Sequence, residues 1–93
     1  MRQKLPNRRA NEIADFEHDG QRYTAAISRF PNGDIGEIFL TCRKYGTALH
    51  LHAQDGAILA SFAMQNGVSD QDIRATVKGP IGHALTLFAE CPR

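Results

Sequence analysis

The side chains able to do chemistry in this 93-residue chain are few and scattered. His50 and His52 stand two apart. On a strand they would share a face; on a helix they turn roughly 200° from each other and cannot share a ligand. A structural zinc site takes four Cys or His ligands at paired spacings. His18, His50, His52, His83, Cys42 and Cys91 show no such spacing. No metal is therefore expected, and the histidines read as surface and boundary residues. Cys91 lies in Glu90-Cys91-Pro92-Arg93. Thiol–disulfide exchange needs a second thiol to resolve the mixed disulfide. The other cysteine, Cys42, falls in an apolar strand pattern and reads as a small core residue. Glu37 and Asp55 could serve acid–base chemistry. Neither has a nucleophile or an orienting histidine beside it in sequence, and no catalytic residue is assigned.

Two basic stretches could hold phosphate. Arg43-Lys44-Tyr45-Gly46-Thr47 precedes a helical pattern. Free N–H groups at a helix start attract anions, and glycine lets a phosphate come close. Arg43, Lys44, Gly46 and Thr47 thus form a candidate anion or nucleotide site, although the GxxxxGK[ST] spacing is missing. The plain reading is a capped helix entry with two solvated cations. Residues 1–9, MRQKLPNRR, hold Arg2, Lys4, Arg8 and Arg9 and no acid. This arm carries +4, against −3 for residues 10–93 and +1 overall. It reads either as a solubilising terminus or as an arm that touches nucleic-acid phosphates.

Elements must position these groups. Ala10 to His18 reads as a strand that ends at Asp19-Gly20, a dipeptide suited to a tight hairpin. Gln21 to Phe30 alternates Tyr23, Ala25 and Ile27 with a mixed face of Thr24, Ala26 and Ser28. Pro31-Asn32-Gly33-Asp34 is a second turn. Ile35 to Cys42 places Ile38, Leu40 and Cys42 on one face and Glu37 on the other. Three strands on two short turns make an antiparallel meander.

The second half is helical. Thr47 can cap a helix running to about Asn66, whose Leu51, Ile58, Leu59 and Phe62 share a face. Gly67 suits the left-handed residue after a helix, with Val68 as its hydrophobic closing contact. Ser69 caps a second helix with Ile73 and Val77 on its buried face, stopped by Gly79-Pro80. His83 to Glu90 reads as a short amphipathic helix around Ala84, Leu85, Leu87 and Phe88. The expected fold is α+β: a three-stranded antiparallel β-meander packed against a long helix, with one or two short C-terminal helices, a two-layer sandwich. The long helix also carries Ala53, Gly56, Ala57, Ala60 and Ala63. Gly within a helix costs ~1 kcal/mol against Ala, so a close neighbour should need the space. That neighbour is either the sheet or the same helix of a second copy.

Length fits one domain, residues 10–93 behind the arm. The 42% apolar content fills a core and excludes a disordered tail. No apolar run approaches the roughly 20 residues of a membrane span, and no secretory signal is visible at the start. A soluble, cytoplasmic protein with no membrane contact is expected.

Several stretches, taken in order, resemble one family. They are Leu5-Pro6-Asn7-Arg8-Arg9-Ala10, Phe16 to Thr24, Arg29-Phe30-Pro31-Asn32-Gly33 and Glu37-Ile38-Phe39-Leu40. Looser matches follow at Gly46-Thr47-Ala48, Gly67-Val68 and Gly79-Pro80-Ile81-Gly82 with Ala84-Leu85. The set is similar to the TSCPD domain found at the C-terminus of adenosylcobalamin-dependent, class II, ribonucleotide reductases, in its small stand-alone bacterial form. The Thr-Ser-Cys-Pro-Asp string that names the family is absent. The resemblance implies a non-enzymatic accessory or regulatory interaction domain. Its partner would be a protein, with a ribonucleotide reductase chain as the candidate and a nucleotide as an additional ligand. A chain this short cannot enclose cobalamin and substrate and keep a core, so no cofactor is expected. The rival reading is a nucleic-acid-binding protein that uses the basic arm.

Overall fold

The computed structural model describes residues 11–42 and 48–90. Its elements are β1 (Asn11–His18), β2 (Gln21–Arg29), β3 (Ile35–Cys42), α1 (Ala48–Gln65), α2 (Asp70–Thr76) and α3 (Pro80–Glu90). The sheet is antiparallel in the order β1-β2-β3. The expected α+β fold is the one observed.

Each turn has a chemical cause. Asp19 and Gly20 both take positive φ, 53° and 79°, as a two-residue hairpin with the right twist requires. In the second turn the Gly33 N–H donates to the Phe30 carbonyl, and the Asn32 side-chain oxygen accepts from the Asp34 N–H. Gly36 is needed for a close approach: a Cβ there would stand 2.7 Å from the Phe30 ring. Arg29 ties this end together. Its guanidinium forks onto both Glu12 carboxylate oxygens and also donates to the carbonyls of Gly33 and Phe88. A cation is well placed at Phe88, near the negative end of α3.

The core lies between one sheet face and the helices. Tyr23, Ala25 and Ile27 of β2 and Ile38, Leu40 and Cys42 of β3 are buried as the alternation predicts. Ala84, Leu85 and Phe88 of α3 meet them. The α1 terminus closes as a Schellman motif. Gly67 (φ 101°) donates to the Met64 carbonyl and Val68 to the Ala63 carbonyl. The Val68 side chain stays exposed, so its N–H does the closing. Ser69 caps α2 by accepting from the Asp72 N–H.

Two expectations on the helices need correction. Val77 is not on a buried helical face: α2 ends at Thr76, and Val77 is its exposed C-cap. Gly79-Pro80 does not stop α2. Pro80 opens α3, where a missing N–H and a fixed φ cost nothing. Leu51, Ile58, Leu59 and Phe62 share one face of α1, as the periodicity predicts, and that face is the outer one. They are 55–68% exposed, while His50, Ala53, Ala57, Ala60, Ser61, Met64 and Gln65 are buried.

The reason lies in what α1 covers. It packs on β3, an edge strand. Alternate residues of an edge strand point both backbone groups outward. The buried polar side chains of α1 answer them. The Ser61 hydroxyl accepts from the Ile38 N–H at 2.8 Å and donates to the Ile38 carbonyl at 2.9 Å. His50 Nδ1 accepts from the Cys42 N–H, and Gln65 Nε2 donates to the Gly36 carbonyl, each at 3.4 Å. Covering an edge with a helix blocks further strand pairing. The small residues serve the same close approach. Ala53, Ala57 and Ala60 are buried in the core, and a Cβ on Gly56 would meet Ile81 of α3 at 3.2 Å. The small-residue row is therefore used inside the molecule.

Candidate functional site

Two surface features gather side chains that could meet a partner or ligand. The first is a groove of about 430 Å³ between β3 and α1, lined by Glu37, Phe39, Leu40, Gln54, Ile58 and Phe62 among others. Its mouth is apolar. Phe39 lies on the sheet face away from the core, in one cross-strand row with Ala26 and Ile13. Ile13 and Phe39 are exposed. The exposed Ile58 and Phe62 continue this row from the other wall of the groove. Apolar side chains from one helix face and one sheet face thus converge on a single seam.

The second feature is a cleft of about 340 Å³ beside the first hairpin turn. His18, Asp19 and Tyr23 of the first hairpin face Leu49 and His52 of α1 and Pro80 and Ile81 of α3. His18 meets His83 with 3.0 Å between their Nδ1 atoms. Phe16 packs on His83, with ring centroids 4.8 Å apart, and stacks on Tyr23. Burial, aided by nearby Cys42 and Asp19, pushes the Tyr23 phenol above its ordinary range. The hairpin turn at Asp19-Gly20 and the Pro80 helix start place these groups. Sequence reasoning missed both features. His18 and His83 are 65 residues apart, and only the docking of α3 beside β1 joins them.

Sequence-predicted positions fare unevenly. Arg43, Lys44, Gly46 and Thr47 lie outside the described residues, as do Arg2, Lys4, Arg8, Arg9 and Cys91. Cys42 is buried with a free thiol, as a core residue. His50 and His52 lie on a helix, His50 buried against β3 and His52 exposed, so they act separately. Asp55 is exposed on α1, and Glu37 lines the β3–α1 groove. Among the described residues no group of three His, Cys, Asp or Glu side chains could hold a metal. No described helix is long and apolar enough to cross a membrane.

Comparison with known proteins gives one pointed finding. A 67-residue stretch, 72% of this chain, is 36% identical to part of the vitamin B12-dependent ribonucleotide reductase of Agrobacterium fabrum strain C58. Over that stretch the two chains are related. The likeness covers 5% of the reductase, so it concerns one small module of a much longer protein. No family model matches the chain, and no solved structure matches it.

Proposed function

We propose that this chain is a TSCPD-type accessory domain, non-enzymatic and built for protein contact, whose partner is a vitamin B12-dependent ribonucleotide reductase. The observation that carries this reading is the 36% identity to a module that makes up 5% of such an enzyme. A module of that size adds a surface to a large enzyme rather than a second reaction centre. The contact surface is the apolar seam of Phe39, Ile58 and Phe62 at the groove between β3 and α1. Its chemistry suits a partner that presents apolar side chains, with Glu37 and Gln54 as polar rim.

The test is direct binding of the purified chain to the purified reductase of the same organism, by calorimetry. The wild-type chain binds. Ile58→Lys with Phe62→Ser weakens binding by at least about tenfold while leaving the melting temperature in place. Absence of wild-type binding, or equal affinity of the variant, overturns the proposal. A nucleic-acid arm is run beside it. Steep loss of oligonucleotide binding with salt, abolished by deleting residues 1–9, would favour the rival reading.

A further inference from the structure

We propose that His18 and His83 form a proton-operated latch that holds the first hairpin against the start of α3. The two Nδ1 atoms are 3.0 Å apart and the ring centroids 5.2 Å apart. The centroid separation is close to the nitrogen separation plus one ring radius on either side, so the rings meet nearly head-on. That is the geometry of an N–H···N hydrogen bond. Such a bond needs a proton on one facing nitrogen and a lone pair on the other. Two neutral rings of opposite tautomer satisfy it, and so does one imidazolium facing one neutral ring. Two imidazoliums do not: both facing nitrogens then carry hydrogen, and two cations confront each other.

Asp19 stands beside His18 on the hairpin turn, and His83 sits in the first turn of α3. Phe16 packs on the His83 ring and offers no compensating charge. Tyr23 from β2 and His52 from α1 are the other titratable groups that line the adjoining cleft with His18 and Asp19. Neither is an anion at acid pH. The Lys78 ammonium, just before α3, donates to the Ala75 carbonyl. One proton added to the pair leaves the N–H···N contact in place, and a second breaks it. The unfolded chain accepts a proton on each ring and the latched fold accepts one, so the latch weakens as pH falls. His18 and Pro80-Ile81 stand on opposite walls of the 340 Å³ cleft. Acidification frees one wall from the other and gives ligands access to the Tyr23 hydroxyl.

The experiment is imidazole NMR of the uniformly labelled wild-type chain from about pH 8 to about pH 4.5, with amide hydrogen exchange at both limits. The Nδ1 resonances of His18 and His83 should move together in two separated steps, while His52 moves in one. Exchange of residues 19–23 and 81–84 should rise by on the order of tenfold at the acid limit. In His83→Gln the side-chain amide donates to His18 without titrating, and the acid-induced rise should disappear. Independent single-step titration of the two rings overturns the latch. So does an equal rise in exchange in His83→Gln. Coordinated broadening of both rings by micromolar zinc would instead assign the pair to a metal.

Discussion

The two faces of α1 differ in a way that reverses the usual helix. The inner face is alanine, serine, histidine, glutamine and a single methionine, and it is buried. The outer face carries leucine, isoleucine and phenylalanine, and it is exposed. Helix burial normally follows side-chain hydrophobicity. Here it follows the polarity and closeness of what is covered. A strand edge offers backbone N–H and C=O groups, and small or hydrogen-bonding side chains fit it better than large apolar ones. The large apolar residues are left on the solvent side.

Four substitutions or conditions set the buried interior against the outer face of α1. The largest effect belongs to Ser61→Val, which strands both outward backbone groups of Ile38 in a buried site. Each orphaned group costs roughly 1–3 kcal/mol, so urea unfolding should reveal a loss of about 2–6 kcal/mol. Ser61→Thr keeps a hydroxyl and should recover a good part of it. If Ser61→Val melts like the wild type, edge capping is not what holds α1 down.

Gly36→Ala comes next. Its Cβ would press on the buried Phe30 ring, and overpacking of this kind costs ~1–3 kcal/mol. A drop in the thermal midpoint with unchanged far-ultraviolet dichroism would place the damage in packing. The third effect is alkaline. Burial raises the Tyr23 phenol, so above about pH 10 the unfolded chain gives up a proton that the folded chain keeps. Stability then declines as pH rises through that region. Tyr23→Phe should flatten the decline, read by melting at graded pH. Smallest is Leu59→Lys on the outer face, expected within about 0.5 kcal/mol of wild type. A large loss there would mean that the outer face is part of the fold's own core.

Much of the fold is legible in the residues because each signal is local. Asp19-Gly20 and Asn32-Gly33 announce their turns through positive φ and side-chain capping. Gly67 announces the end of α1, and Ser69 the start of α2. Strand alternation marks Tyr23, Ile27, Ile38 and Leu40 as core. The signals fail where chemistry depends on the neighbour. Helical periodicity singles out Leu51, Ile58, Leu59 and Phe62 correctly as one face, yet cannot know that the opposite face meets a strand edge. Pro80 follows Gly79 as a stop signal would, and the chain instead uses it to begin α3. The His18–His83 pair has no local signature. The Arg29 fork onto Glu12 is equally silent, since its register comes from strand pairing.

The sealing of β3 also bears on the order of assembly. The three strands are joined by short turns and can pair while α1 is still unformed, whereas the Ser61 hydroxyl reaches Ile38 across 23 residues only after the helix docks. Until then β3 presents an unprotected edge next to Phe39. Such edges, together with exposed apolar side chains, are where partly folded chains aggregate. The vulnerable interval during synthesis and refolding is therefore the time between closure of the meander and docking of α1. Growth temperature and chaperone supply should govern the yield of this protein through that interval.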